Sequence, residues 1–277
     1  RLAEIQRDLD LEAGIGDCEY KGPDYNALLS IFEELEFRRL TKDILAEMKE
    51  APVAHEAGGP AADFCVLENI EGLRQAVEAL VPLNGRTAFF LAVEGTLYRD
   101  SRITHLAFSS EAGTWVMDFQ AAVQWKETRE ILQKLFSRGG KGIFHDGKKA
   151  MSALAYYGID VAIDFDDTQL AAYLLNPSAS EYNLQQLSME YLDRTVVESG
   201  DILSNCSLYA HTLLQLNEIL LERLEGDELY KLYSTLELPL ERILMKMEAN
   251  GVCIDQTILH DMSGELAGEI ENVSREI

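Results

Sequence analysis

The sequence predicts an α/β fold of alternating strands and helices, with helical extensions at the N- and C-terminal ends. Three observations carry this. Thr87 to Val93 is a continuous apolar run that suits a strand buried on both faces. Ile103 to Phe108 and Thr114 to Asp118 follow as two further strands, joined by Ser109-Ser110-Glu111-Ala112-Gly113 as a hairpin loop, which makes a β-meander. The segments on either side of this meander carry apolar residues at helical spacing.

Taken in order, Tyr25 to Glu47 places Leu28, Leu29, Ile31, Phe32, Leu35, Phe37, Leu40 and Ile44 so as to give one or two short helices with a buried stripe. Residues 49–63, with Pro52, Gly58, Gly59 and Pro60 and no periodicity, read as an exposed linker. Glu71 to Leu80 is a helix, Glu127 to Ser137 another with Ile131, Leu132, Leu135 and Phe136 inward, and Gly142-Ile143-Phe144 a short return strand. Met151, Leu154 and Ala155 stripe a helix that Gly158 ends in the left-handed conformation. Asp166 or Asp167 caps a helix through Leu175, which Pro177 stops.

Asn205 to Leu224 forms a long amphipathic helix. Asp227 to Ala249 forms a second, with Leu229, Leu232, Leu236, Leu240, Ile243, Leu244 and Met247 expected inside and Pro239 kinking or dividing it. Asn250-Gly251 ends it, Val252-Cys253-Ile254 is extended, and Asp255 caps a final helix to Ile277. A chain that starts without Met and stops inside a helix is expected to be an excised part of a longer protein.

Composition bounds the function. At 277 residues and 47 % hydrophobic the chain can bury a substantial core. Lys plus Arg number 24 against 48 Asp plus Glu, a formal charge of −24, opposite in sign to what counterion release on a phosphate backbone requires. The chain alone is therefore expected to bind DNA weakly or not at all. Cys18, Cys65, Cys206 and Cys253 form no C-x-x-C pair, which fits neither a zinc site nor a disulfide framework and suits a reduced cytoplasmic compartment. No apolar stretch approaches the roughly 20 residues that span a bilayer, and Arg1-Leu2-Ala3-Glu4 does not open a signal peptide, so no membrane partner is expected.

Three stretches carry a family resemblance. Tyr20-Lys21-Gly22-Pro23-Asp24 through Phe37, Asp167-Thr168-Gln169-Leu170-Ala171-Ala172-Tyr173-Leu174-Leu175-Asn176-Pro177, and Glu237-Leu238-Pro239-Leu240 with Met247-Glu248-Ala249-Asn250-Gly251-Val252-Cys253-Ile254-Asp255 resemble, in order and separation, bacterial family A DNA polymerases. The resemblance implies a tail of the 5′ nuclease region over 1–48, the linker over 49–63, a ribonuclease H-like 3′-to-5′ exonuclease domain over 64–226 with a mixed sheet flanked by helices, and the start of the polymerase thumb over 227–277. The palm and fingers of such a polymerase lie beyond Ile277.

An active exonuclease of that family holds two divalent ions with Asp-x-Glu on the first strand, an Asp on a central helix, and an Asp in a Tyr-x-x-x-Asp helix motif. Phe89-Phe90-Leu91-Ala92-Val93-Glu94-Gly95 places Ala92 and Glu94 at the first motif. Alignment on Tyr157-Gly158-Ile159 places Ala150 at the second, and alignment on Leu213-Leu214-Gln215-Leu216 places Asn205 and Tyr209 at the Tyr and Asp of the third. One carboxylate of four remains. The resemblance thus implies a vestigial site with no functional catalytic residue and no bound metal in this chain. The parent polymerase would use Mg²⁺, act in replication and repair, and bind DNA.

Nearby residues offer rescues, each with a plainer reading. Asp146, one helical turn before Ala150, becomes a ligand only if the register shifts. His145 and His211 could ligate a transition metal, but no H-x-x-x-H spacing supports them over packed or surface histidines. Lys148 and Lys149 would stand near the vacated pocket, or simply open a solvated helix. Glu94 alone reads as a solvated strand-end carboxylate, and Trp115 and Trp125 as core and edge packing rather than base-stacking platforms. The leading expectation is a non-catalytic exonuclease fold that supports the polymerase module. The alternatives are an active 3′-to-5′ exonuclease with unorthodox ligands and an acidic interaction module for replication or repair proteins.

Overall fold

The computed structural model describes residues 25–34, 37, 40, 44, 63–80, 85–95 and 101–276. The Tyr20 to Asp24 stretch and the linker before Asp63 lie outside the described residues. The chain divides into two units, Arg1–Glu56 and Ala57–Ile277. In the first, α1 (Tyr25–Glu34) ends where the Phe37 N–H donates to the Phe32 carbonyl at 2.8 Å and the two rings meet at 6.1 Å. Among the described residues of this unit, Ile31, Phe37 and Leu40, expected inside, are exposed, whereas Leu28, Phe32 and Ile44 are half-buried, so the stripe is covered along one side only.

The second unit is built on β1 (Phe64–Val66), α2 (Ile70–Leu80), β2 (Arg86–Glu94), β3 (Arg102–Ser110), β4 (Gly113–Asp118), α3 (Phe119–Ala122), α4 (Thr128–Ser137), β5 (Lys141–Phe144), α5 (Gly147–Tyr156), β6 (Asp164–Asp167), α6 (Thr168–Leu175), α7 (Leu184–Leu192) and α8 (Ile202–Gly226). The sheet runs β1-β4-β3-β2-β5-β6. β2, β3 and β4 are the antiparallel meander that the alternating pattern predicts, and β5 and β6 add in parallel beside β2. In the β2–β3 ladder Ala92 pairs with His105 and Val93 with Ile103, so Thr104 is an extra residue on β3, a bulge whose Oγ1 donates to the Ala92 carbonyl at 3.2 Å.

The core gathers on the apolar run. Phe89 meets Phe136 of α4 at 4.9 Å and Phe144 of β5 at 5.3 Å between ring centroids, so the residues that read as inward do face inward. Trp115 stacks on Phe108 at 5.5 Å and Trp125 packs against the same core, as packing residues. Gly158 ends the turn after α5 with φ 70°, and a Cβ there would sit 2.6 Å from the Arg129 guanidinium, so both backbone and space select glycine.

β6 and α7 were not expected. The β6 sequence Asp-Phe-Asp-Asp reads as polar, yet Asp166 and Asp167 are fully buried, and of the two Asp167 is the cap of α6, accepting from Gln169 N at 2.7 Å and Leu170 N at 3.0 Å. α8 begins before Asn205 because Asp201 caps it through Leu203 N and Ser204 N.

After α8 the chain forms α9 (Tyr230–Leu232), a π-helical turn at Tyr233–Glu237, α10 (Leu238–Asn250) and α11 (Gln256–Glu276). Pro239 sits in the first turn of α10, where its missing N–H costs no hydrogen bond. The expected inward stripe is corrected here: Leu232, Leu236, Leu240, Ile243, Leu244 and Met247 are exposed, while Tyr233 and Leu238 are buried and Met245 packs on the core. The π-turn changes the helical phase, so the face laid on the sheet edge is Tyr233, Leu238, Glu241, Arg242 and Met245. Gly251 closes α10 at φ 72°, and Asp255 caps α11 through Thr257 N at 2.9 Å, both as expected.

Candidate functional site

The region of the expected exonuclease motifs lies where α8 crosses β2 and β3 and where α5 leaves β5. Ala92 belongs to a small apolar cluster with Ala107 and Val116 of the sheet and Cys206 and Ala210 of α8. Short side chains here let the helix approach the strands closely. Burial pushes the Cys206 thiol up to about 12, which leaves it an unreactive packing group. Glu94, the strand-end residue, is exposed and pairs in register with Arg102.

Tyr209 is buried on the same helix face. Its ring stacks on Phe90 at 4.8 Å and 25°, and its hydroxyl donates to Glu198 Oε1 at 2.5 Å while accepting from Gln185 Nε2 at 3.0 Å. Burial, then Glu198, raise its pKa far above the ordinary phenol, so it stays neutral. Asn205, one turn earlier, accepts from Ser199 N at 2.7 Å and donates to Ser199 O at 2.9 Å. Both residues pin the segment Glu198–Ser199 to α8.

Ala150 lines a cleft of about 550 Å³ with Phe89, Phe90, Leu91, Val93, His145, Asp146, Lys149 and Tyr182 among its walls. The other four motif positions do not line it. Asp146 caps α5 in the left-handed conformation, φ 58°, accepting from Lys149 N at 3.1 Å. His145 Nδ1 hydrogen-bonds with Thr168 Oγ1 at 2.9 Å, and burial pushes the ring down to about 4, opposed by a hydrogen bond with the Tyr182 backbone. Lys149 stands at the cleft, whereas Lys148 turns away to Glu248 of α10 at 2.6 Å. His211 is half-buried on α8, away from the cleft lining, with its pKa lowered by burial and by Arg194.

Hard divalent ions take several oxygen ligands each. The five positions offer Glu94 as their one carboxylate, and the phenol of Tyr209 is already hydrogen-bonded, so this donor set does not fit a pair of such ions. Among the described residues, no group of three or more His, Cys, Asp or Glu side chains converges to hold a metal ion. Among them, too, no helix is long and apolar enough to cross a membrane.

A second polar cluster, which local pattern did not disclose, sits at the end of β6. Asp166 is salt-bridged to Lys141 at 2.7 Å and reached by Asn217 Nδ2 at 3.4 Å and the Tyr233 hydroxyl at 3.5 Å. The Asp167 N–H donates to Tyr233 OH at 2.7 Å, and Asp167 Oδ2 accepts from Gly147 N. Arg242 donates to the carbonyls of Val161 and Ile163, the latter at 2.7 Å, and lies over the Phe165 ring at 4.9 Å. The only sequence signal for this cluster was the Asp166-Asp167 pair before a helix.

A family model described as the ribonuclease H-like domain of DNA polymerase I matches residues 89–203. Over this region the chain is similar to the DNA polymerase I family. The DNA polymerase I of Bacillus subtilis is 27 % identical over 291 residues, covering 100 % of this chain and 32 % of the relative. The enzyme of Pseudomonas aeruginosa is 25 % identical over 315 residues, covering 100 % and 34 %. The chain therefore spans about a third of the length of these relatives.

Among solved structures, the polymerase domain of Pol1 from M. smegmatis, in complex with DNA primer-template and dNTP, superposes with TM-score 0.66 at 26 % identity, covering 76 % of this chain and 36 % of that one. RNase D of Escherichia coli, an exoribonuclease, superposes with TM-score 0.55 at 13 % identity, covering 67 % and 51 %. NrnC of Brucella melitensis with bound Mg²⁺ gives 0.53 at 19 %, covering 70 % and 96 %. These last two share the fold alone. The fold of this chain is the mixed, helix-flanked sheet of the ribonuclease H-like exonucleases.

Proposed function

We propose that this chain is the non-catalytic exonuclease portion of a DNA polymerase I, with residues 64–226 as the degenerate domain, residues 227–277 as the start of the thumb, and residues 1–48 as the tail of the 5′ nuclease region. Its work is mechanical: it gives the first polymerase helices a rigid surface to dock on. The observation that carries this is Tyr209. Where the family resemblance puts the third motif's metal-binding Asp, Tyr209 is a buried aromatic ring, stacked on Phe90 and bonded to Glu198 and Gln185.

A two-metal hydrolysis needs one ion to activate water and another to stabilise the leaving oxygen. Ala92 and Ala150 contribute methyl groups where carboxylates would be needed, and Glu94 cannot supply both roles. Docking of α10 supports the mechanical role: Arg242 clamps two carbonyls beside the sheet edge, and Lys148 meets Glu248 across the same contact. Within the whole polymerase, template DNA and Mg²⁺ would engage the palm and fingers.

Incubation of the chain with 3′-labelled single-stranded DNA and Mg²⁺ or Mn²⁺ is expected to release no label above a buffer blank. Label release that Glu94→Ala abolishes would establish the rival reading, an exonuclease with unorthodox ligands.

A further inference from the structure

We propose that α10 is latched to the exonuclease fold by a carboxyl pair, Glu241 of α10 and Asp167 at the end of β6, which holds one shared proton, so that docking of α10 takes up a proton from solution. This deepens the supporting role proposed above and rests on it.

The geometry begins at Gly147. A Cβ on this residue would lie 3.0 Å from Glu241 Oε2, 3.1 Å from Asp167 Oδ2 and 2.9 Å from the Phe165 ring, so the two carboxyls meet over a backbone that has no side chain. Asp167 is an acceptor at both oxygens, taking the N–H of Gly147 at Oδ2 and those of Gln169 and Leu170 at Oδ1. Burial raises the Asp167 carboxyl from 3.8 to about 6 and its three N–H donors hold it there, below Glu241, so Asp167 is the ionised partner of the two. Glu241 Oε2 is buried and, among the described residues, no N–H or protein hydroxyl points at it. An ionised Glu241 would thus be an unsatisfied buried acceptor beside a second negative charge, which is costly on both counts. A proton on Glu241 turns that oxygen into the donor that Asp167 can accept.

The surrounding charges favour this state. Asp146, the cap of α5, adds negative potential. Lys148 opposes it but is held by Glu248 at 2.6 Å. Asp166 is neutralised by Lys141, the Tyr233 phenol is kept protonated by burial and by the two aspartates, and Arg242 is spent on Val161 and Ile163. Burial first, and Asp167 second, push the Glu241 carboxyl from 4.5 up to about 9. Across that window the docked state binds a proton that the undocked state has lost. Docking therefore weakens up to about tenfold per unit as pH rises, and levels off above the window.

The test uses the whole 277-residue chain. NMR of ¹³C-labelled glutamate carboxyls is expected to show Glu241 titrating well above the ordinary glutamate range, and a midpoint inside that range would overturn the latch. Native-state amide exchange at Leu238–Asn250, corrected for intrinsic rates, is expected to report an opening equilibrium that grows with pH in the native chain. In Glu241→Gln, whose amide donates without titrating, that growth is expected to vanish. An equal slope in both chains sinks the latch while a protected α10 still upholds the supporting role. Exchange of α10 at unstructured rates at every pH sinks both.

Discussion

The rings of Phe90 and Tyr209 lie 4.8 Å apart and 25° from parallel, one on the central strand and one on the long helix that crosses it. This stack ties β2 to α8 at the place where the family resemblance puts a metal-binding carboxylate. The same phenol reaches Glu198 and Gln185, so one side chain joins the sheet, α8, α7 and the segment before α8.

Restoring the carboxylates is therefore expected to fail. Ala92→Asp, Ala150→Asp and Tyr209→Asp combined removes the stack, sets a new carboxylate on α8 against Glu198, and pushes an acid into the cluster of Ala107, Val116, Cys206 and Ala210. A loss of about 3 kcal/mol or more is expected, from the vacated ring volume and the like charges. Thermal unfolding and a nuclease assay check it. A fully stable, fully active triple variant would mean that the pocket is intact apart from its ligands.

Gly147→Ala tests the close approach of α5, β6 and α10. The added methyl meets Phe165, Glu241 and Asp167 at 2.9 to 3.1 Å, and none of the three can retreat without breaking a contact. A cost of about 1–3 kcal/mol is expected from overpacking, read as a lower midpoint in urea. Gly200→Ala, where a Cβ meets nothing within 4 Å, is the control and is expected to be near neutral.

His145 predicts an acid-sensitive limb. Its folded value is depressed from 6.5 to about 4, so the folded chain holds fewer protons than the unfolded one across that window. The stability tied to its neutral ring is complete above about 6.5 and is lost as pH falls toward about 4, an effect on the order of 3 kcal/mol. Denaturant unfolding against pH is expected to show a shallower acid limb in His145→Gln than in the native chain, and identical limbs would exclude this origin. Glu241 acts with the opposite sign over an overlapping range, so the comparison is cleanest in a Glu241→Gln background.

DNA affinity is expected to be weak. With formal charge −24, the chain is expected to bind single-stranded DNA more weakly than about 10⁻⁴ M at physiological salt. Fluorescence anisotropy with a labelled oligonucleotide checks this. Micromolar, salt-sensitive binding would reveal a basic groove that the overall composition hides.

The sequence by itself determined the alternation of strands and helices, the meander, the helices α2, α4, α5 and α8, the inward faces of α4 and α5, and the caps at Gly158, Gly251 and Asp255. Each rests on spacing along the chain or on one residue's backbone preference, and such signals are local. At the five positions that the family resemblance assigns, the sequence carries one carboxylate, Glu94. Tertiary structure alone decided the rest. The Asp-Phe-Asp-Asp strand reads as polar until Lys141, Asn217, Tyr233 and Gly147 arrive from distant segments to satisfy its buried acids. The inward face of α10 carries Glu241 and Arg242 instead of the leucine stripe, because a π-turn sets the phase and because two carbonyls and a carboxyl wait on the surface it meets. Whether a polar residue lies inside depends on what stands opposite it, and periodicity carries no information about partners far away in the chain.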